Sequence, residues 1–189
     1  PTAYAVTGGG TYCTGGTGFA VGLSNSDSGV SYQLQLGGVN NGTPVIGTGT
    51  AISFGTKTAA GTYTVVATST NSGTSCTATM TGNAVITIST FPAALALTGS
   101  TICVSPGGNG TITSSTSVSG VNYQLYNSSN TPVQGSIPGT GSGLTWSNLI
   151  AGNGYYVTAT NASNCSTNSN TVNVATTHNT AAPGVGITT

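Results

Sequence analysis

A long internal repeat is the feature that most constrains this chain. Gly29-Val30-Ser31-Tyr32-Gln33-Leu34 recurs 91 residues later as Gly120-Val121-Asn122-Tyr123-Gln124-Leu125. Other segments return at offsets between 88 and 92, among them Thr43-Pro44-Val45 and Tyr63 to Thr68. Loops that differ by one to three residues produce such a drift. The sequence therefore predicts a tandem duplication of a domain of about 90 residues.

Short alternating runs between turn residues fill the first repeat. Val30, Tyr32, Leu34 and Leu36 share one face with a period of two, the pattern of a half-buried strand. Further strands are predicted near Tyr4 to Val6, Phe19 to Leu23, Pro44 to Ile46, Ala51 to Phe54, Gly61 to Ala67 and Ala84 to Ile88. Seven short strands without a predicted helix are typical of a two-sheet sandwich. We expect an all-β chain of two antiparallel β-sandwich domains with about seven strands each.

The repeat also sets the domain limits. We expect a first sandwich at residues 1–90, a second at 91–177, and a linker or donor strand at 178–189. Pro1, Pro92 and Pro183 are each 91 residues apart, and the segment after Pro183 alternates like the opening strand of another unit. A strand of this kind can insert into a sheet of a neighbouring molecule. The candidates for such an assembly strand are Pro183, Val185 and Ile187 at one end, and Tyr4 and Val6 at the other.

Charged side chains are almost absent. Lys57 and Asp27 are the only strongly charged residues, and His178 is the only histidine. Nucleic acids and anionic membrane surfaces are recognised largely by Lys and Arg, so neither is an expected partner. No apolar run reaches the roughly 18 residues that span a bilayer. Acid-base catalysis needs a positioned pair of titratable groups, so we predict no enzyme, no catalytic residue, no cofactor and no metal site, with His178 as a solvated linker residue.

The four cysteines fall two per repeat at matching positions. Cys13 matches Cys103 and Cys76 matches Cys165, with 62 and 61 residues between the members of each within-repeat pair. Among the three connectivities that four cysteines allow, duplication favours Cys13–Cys76 and Cys103–Cys165. Each bridge would stabilise its domain by about 4 kcal/mol. Disulfides are typical of an oxidising, extracellular setting.

A surface without charge needs another source of solubility, or serves association. Asn-x-Ser/Thr triplets make Asn41, Asn109, Asn127, Asn161 and Asn164 candidate glycosylation sites. Trp146 replaces Phe54 in the second repeat, and we interpret both as core aromatics rather than platforms for sugars. Tyr126 and Tyr155 stand beside core positions, so they are the candidates for exposed aromatics that would bind glycans.

The motifs together resemble a known group of domains. They are Tyr-x-x-x-Gly-Gly-Gly-x-Tyr-Cys, Gly-Val-x-Tyr-Gln-Leu, Pro-Val-x-Gly-x-Gly, Ala-Gly-x-Tyr-x-Val-x-Ala-Thr and a late Cys. This pattern resembles the immunoglobulin-like (Ig-like) tandem repeats of large secreted and cell-surface proteins of Bacteroidetes-type bacteria. The resemblance covers nearly the whole chain, more fully in residues 4–88 than in 95–174. It implies an extracellular sandwich that serves as an adhesin, stalk or fibre element.

We therefore expect a structural subunit or segment of an extracellular bacterial filament. Copies of the chain would join end to end, either by strand sharing or as tandem covalent repeats. The first alternative is a surface adhesin module that binds glycans. The second is a pair of accessory Ig-like domains in a larger secreted protein, which would place any catalytic domain elsewhere.

Overall fold

A computed structural model describes residues 1–71, 74–104 and 109–177. The chain divides into two compact units, Pro1–Thr90 (unit 1) and Phe91–Thr189 (unit 2). Every secondary-structure element of the described residues is a β-strand. Pro183, Val185, Ile187 and His178 lie outside the described residues.

Unit 1 folds into ten strands, which form one sheet of three strands and one of seven. One sheet has the order β1-β3-β7, and the other has the order β2-β10-β8-β4-β5, in which β6 also pairs with β4 and β9 with β8. The strands are β1 (Val6–Gly8), β2 (Gly10–Cys13), β3 (Phe19–Leu23), β4 (Ser31–Leu36), β5 (Val39–Asn40), β6 (Val45–Ile46), β7 (Ile52–Lys57), β8 (Gly61–Asn71), β9 (Thr74–Thr79) and β10 (Ala84–Ser89).

Unit 2 has a similar arrangement, in which β15 is equivalent to β6 and no strand of the described residues is equivalent to β5. Its sheets have the orders β11-β13-β16 and β12-β19-β17-β14-β15, with β18 also paired to β17. The strands are β11 (Leu97–Gly99), β12 (Thr101–Cys103), β13 (Gly110–Thr116), β14 (Asn122–Tyr126), β15 (Ile137–Pro138), β16 (Gly143–Leu149), β17 (Gly152–Thr160), β18 (Ser166–Asn168) and β19 (Val172–Thr177).

In both units the opening strand is split between the two sheets. Its second half pairs in parallel with the last strand, β2 with β10 and β12 with β19, whereas the other strand pairs are antiparallel. In unit 1 the split falls at Gly9, which has a φ of +88° and lies against the backbone of Val85. A side chain fits neither that conformation nor that space, so a glycine is required there. The expectation of purely antiparallel sheets is corrected at this pair.

The predicted all-β architecture of two sandwich domains is confirmed, with more strands than the seven expected in each. In unit 1 the additional strands are β2, produced by the split, and β5 and β9. β9 reads Thr-Ser-Cys-Thr-Ala-Thr and is mostly exposed. Because none of its residues is large and apolar, it leaves no period-two pattern in the sequence.

Each unit has its own hydrophobic core between its two sheets. The predicted face of β4 is confirmed, since Val30, Tyr32 and Leu34 are buried and Leu36 packs against them. In unit 2 the largest buried side chain is Trp146, which is 0% exposed. Phe54 is half-buried and packs against the core of unit 1. Both aromatics are therefore core residues, as the repeat predicted.

Candidate functional site

Cys13 and Cys103 occupy equivalent positions in their units. Each is the last residue of the strand that runs parallel to the final strand of the unit. Cys13 lies opposite Ser89 and Cys103 opposite Thr177, and these are the last residues of β10 and β19. Both cysteines therefore mark the end of the sheet at which the chain leaves the unit, which we call the trailing end.

Cys76 and Cys165 are equivalent in the same way. Cys76 lies opposite Ser69 of β8, and the N–H of Asn161, which follows β17, donates to the carbonyl of Cys165 at 3.1 Å. β8 and β17 run antiparallel to the final strands, so their last residues lie at the end of the sheet opposite the trailing end. Because the opening strand runs toward the trailing end, the chain comes into each unit on this opposite side. We call it the leading end.

The two cysteines of one unit are far apart. Relative to Gly61 of β8, Cys13 lies three positions toward one end of the sheet and Cys76 lies eight positions toward the other. At about 3.3 Å per residue this corresponds to about 35 Å along the strands. Cys103 and Cys165 are separated similarly, by three and nine positions on either side of Gly152. A disulfide requires Cα atoms within about 7 Å of each other.

The predicted bridges Cys13–Cys76 and Cys103–Cys165 are therefore wrong. Cys13 and Cys165 are in disulfide form, whereas Cys76 and Cys103 are exposed free thiols. One cysteine of each kind, trailing and leading, is oxidised, and one of each kind is free. Sequence spacing suggested pairing within a unit because it does not show where along the sheet a strand begins.

Tyr4 and Val6, the N-terminal candidates for a donated strand, pair within unit 1. Val6 lies opposite Leu23 in β3. The Tyr4 hydroxyl donates to a carboxylate oxygen of Asp27 at 2.6 Å, and the N–H of Thr2 donates to the other oxygen at 2.7 Å. The hydrogen bond from Tyr4, followed by that from Thr2, lowers the pKa of Asp27. The same bond to Asp27 is the main cause that raises the pKa of Tyr4. Sequence reasoning missed this role of Asp27.

The candidate glycosylation sites differ in their surroundings. Asn109 and Asn164 are exposed, and Asn41 is half-buried. The side-chain oxygens of Asn127 and Asn161 each accept hydrogen bonds of 2.9 to 3.0 Å from the backbone N–H groups two and four residues later. This is a local turn that asparagine favours, and it explains the asparagine at these two positions without a glycan. Attachment of glycans to any of the five stays a prediction.

One aromatic pair stands on the outer face of unit 2. Tyr126 and Tyr156 are cross-strand neighbours whose rings stack at 5.4 Å with an interplanar angle of 15°. The Tyr156 hydroxyl donates to the side-chain oxygen of Asn130 at 2.8 Å. Tyr155 is only 4% exposed and belongs to the core, so it is wrong as a candidate for an exposed aromatic. Alternation along β17 turns Tyr155 inward and Tyr156 outward.

A pocket in unit 1 is lined in part by Lys57. Its lining includes Phe54, Asn41 and Thr43 as well as Lys57. Asp27, the only acid of the chain, is hydrogen-bonded to the N-terminal segment. Among the described residues, no three His, Cys, Asp or Glu side chains lie close enough to share a metal ion. No helix in the described part of the chain is long and apolar enough to cross a membrane.

Comparison with known proteins identifies part of the chain. Residues 92–178 match the family model described as Ig-like domain CHU_C associated. The resemblance found in the sequence is thereby confirmed for unit 2 as an Ig-like domain, while its tandem-repeat and adhesin aspects stay predictions. No curated protein sequence matches the chain.

Two solved structures are similar to the chain. Fibronectin(III)-like modules of CbhA from Clostridium thermocellum have 14% identity and a TM-score of 0.44, over 97% of this chain and 100% of that one. The titin domains z1z2, solved in complex with telethonin, have 17% identity and a TM-score of 0.32, over 95% of this chain and 100% of that one.

Proposed function

We propose that the chain is a non-catalytic structural segment of an extracellular bacterial fibre that grows end to end. The observation that carries this proposal is the placement of the leading and trailing ends. In each unit these are the two opposite ends of the same sheet, about 35 Å apart along the strands. A building block whose two joining surfaces differ and face apart adds copies head to tail, and such contacts produce filaments when they do not close into a ring.

Two further features support this proposal. Unit 2 matches an Ig-like family model, and Ig-like sandwiches serve widely as modules of cell-surface proteins. Cys13 and Cys165 are in disulfide form, which fits an oxidising compartment outside the cytoplasm. The near absence of charge removes electrostatic repulsion between copies.

We assign the role of assembly strand to the C-terminal segment with Pro183, Val185 and Ile187. Its alternation matches the opening strand of a further unit. The N-terminal alternative is less favourable, because Tyr4 is already bound to Asp27 and Val6 is already paired with Leu23. A donated N-terminal strand would first have to lose these contacts.

The test compares the full chain with a version that ends at Ala182. Both are produced in an oxidising compartment and observed by electron microscopy after purification. We expect filaments from residues 1–189 only, since strand addition requires the last seven residues. If both versions remain monomeric, strand sharing is wrong, and the two units are better explained as beads of a longer covalent chain.

Glycan binding is a second candidate, favoured by the stacked pair of Tyr126 and Tyr156. Stacked aromatic rings at a surface present an apolar face with polar edges, which suits sugar rings. The test is binding of the protein to an array of bacterial and host glycans. Tyr156→Ala should lose the binding, and Asn122→Ala, on the same face of β14 as Tyr126, should retain it. Absence of binding by the unmodified chain would exclude this candidate.

A further inference from the structure

The four cysteines form two classes, those at trailing ends and those at leading ends, and one cysteine of each class is oxidised. Cys13 and Cys103 are at trailing ends, and Cys76 and Cys165 are at leading ends. The oxidised members are Cys13 of unit 1 and Cys165 of unit 2. The remaining members, Cys103 and Cys76, are exposed thiols. The two free thiols therefore belong to opposite classes, as the two oxidised cysteines do.

Chain direction gives these classes a meaning. The chain leaves unit 1 at its trailing end, the end of Cys13, and comes into unit 2 at its leading end, the end of Cys165. The free thiols lie at the two remaining ends. Cys103 is where the chain leaves unit 2, and Cys76 is on the side where it comes into unit 1. These are the ends that a following and a preceding copy would meet in a head-to-tail series.

We propose that Cys103 of one molecule forms a disulfide with Cys76 of the next copy of the same chain. The inference rests on the proposed end-to-end assembly and names a covalent bond that would fix it. The oxidised cysteines are one from a trailing end, Cys13, and one from a leading end, Cys165. One unit further along a series of copies, the same combination is trailing-end Cys103 with leading-end Cys76 of the next copy.

The surroundings of both thiols allow two copies to approach. Cys76 stands in the exposed strand β9 between Ser75 and Thr77, and Cys103 is followed by Val104, which is 44% exposed.

The bond forms by thiol–disulfide exchange with a disulfide oxidant, RSSR, such as oxidised glutathione. The Cys103 thiolate attacks one sulfur of RSSR and releases one RS⁻, leaving a mixed disulfide. The Cys76 thiolate of the next copy then attacks the Cys103 sulfur and releases the second RS⁻. Both released thiolates take up the protons that the two cysteines lost. The two thiols are oxidised by two electrons, and RSSR is reduced to two RSH.

The geometry makes a distinctive prediction about size. A Cys103–Cys76 bond joins unlike ends, so each product retains one free Cys103 and one free Cys76 and extends further. Bonds between like ends, Cys76 to Cys76 or Cys103 to Cys103, consume the same thiol twice. Either like-to-like bond alone therefore stops at a dimer.

The experiment treats the purified full chain with oxidised glutathione and separates the products on a non-reducing denaturing gel. The unmodified chain should produce a ladder beyond the dimer. Cys76→Ser and Cys103→Ser should each lose every species larger than a dimer. An equimolar mixture of these two variants should form a covalent dimer that neither forms alone. Because the chain has one Lys and no other tryptic site, chymotryptic peptides should be used to identify the Cys76–Cys103 linkage.

Iodoacetamide provides a test without substitutions. Alkylation of the two free thiols in the folded, unmodified chain should abolish the ladder while mass spectrometry shows two added groups. Two results would overturn the proposal: oxidation of both thiols without any intermolecular product, or dimers of each single variant as abundant as those of the mixture.

End-to-end assembly and the Cys103–Cys76 disulfide can be tested independently of each other. The double variant Cys76→Ser/Cys103→Ser retains Cys13 and Cys165 and can be observed by electron microscopy. Filaments from this variant together with no ladder from the unmodified chain would leave end-to-end assembly intact and remove the disulfide. A ladder from the unmodified chain, together with filaments from neither the full chain nor the version ending at Ala182, would retain the disulfide and remove strand sharing.

Discussion

The Tyr4 hydroxyl donates a 2.6 Å hydrogen bond to Asp27, the only acidic residue of the chain. The Thr2 N–H donates to the same carboxylate at 2.7 Å, and the Val6 N–H donates to the carbonyl of Thr81 at 2.9 Å. One carboxylate thus holds the first residues of the chain against unit 1. In the proposed assembly, the N-terminal strand is available to a neighbouring copy only if this segment detaches.

We predict that the attachment of the N-terminal segment depends on pH. The pKa of Asp27 is lowered by its bonds to Tyr4 and Thr2, so its stabilising effect is present above the ordinary value of about 3.9 and is lost as the pH falls through the lowered value. The pKa of Tyr4 is raised mainly by Asp27, so the effect is also lost as the pH rises above about 10. NMR shifts of the Thr2 and Val6 amides in acid, and of the Tyr4 ring protons in alkali, should follow these limits.

Two substitutions separate the carboxylate from the phenol. Asp27→Asn should abolish the acid limb of the titration, and Tyr4→Phe should remove the alkaline limb while the Thr2 bond remains. Tyr126→Phe serves as the control, since its ring lies in unit 2. Amide shifts that change at the ordinary carboxyl value of about 3.9, and not below it, would contradict the prediction.

A buried serine fixes the same loop in both units, and we predict that it is important for stability. Ser117 is 2% exposed; its hydroxyl donates to the carbonyl of Ser142 at 2.6 Å and accepts from the N–H of Thr140 at 3.0 Å. Ser26 makes the equivalent pair of bonds in unit 1. Ser117→Ala removes both of these bonds, although the Ser142 carbonyl still accepts from the Ser117 N–H at 2.9 Å, and it should cost about 1 to 3 kcal/mol of unfolding free energy.

Trp146, the only tryptophan, makes this measurement specific to unit 2. In urea, Ser117→Ala should lower the midpoint of the Trp146 fluorescence transition. Exposed Ser129→Ala is the matched control and should leave it within about 0.5 kcal/mol. A shift as small as that of the control would show that the loop does not depend on the hydroxyl.

The sandwich architecture could be predicted because burial of one face of a strand produces an alternating pattern of apolar and polar residues in the sequence. Val30, Tyr32 and Leu34 alternate with polar residues, and the structure buries all three. The replacement of Phe54 by Trp146 likewise indicated a shared core position, which the packing confirms. These predictions required only the period of the pattern and the duplication.

The positions of the cysteines along the sheets were not readable in this way. The segment between Cys13 and Cys76 contains strands that cross the unit several times, so its length says nothing about the final separation. β9, which carries Cys76, is polar and gave no strand signal. The Asp27 contact with Tyr4 and the role of Ser117 are side-chain contacts across loops, which also leave no periodic pattern.

Trp146 itself leads to a third prediction. It is fully buried, and its indole N–H has no hydrogen-bond partner within the described residues. Trp146→Ala should cost about 3 to 5 kcal/mol through the cavity it creates. Trp146→Phe loses less volume and also removes an unpaired buried donor, which itself costs about 1 to 3 kcal/mol. We expect Trp146→Phe to lose less than half as much stability as Trp146→Ala, measured by circular dichroism in urea. Equal losses would contradict this expectation.

Gly139 should tolerate no side chain, although it does not have a positive φ. A Cβ there would overlap the carbonyl oxygen of Val118, and the Gly139 N–H donates to the carbonyl of Val121 at 2.8 Å. Because both neighbours are backbone atoms fixed in the loop, Gly139→Ala should cost about 3 kcal/mol. Gly135→Ala is the matched control, since a Cβ at Gly135 meets open space. The Trp146 fluorescence transition in urea should shift for the first substitution and stay nearly constant for the second. Equal transitions would mean that the loop moves aside, so that close approach at Gly139 is not what determines its path.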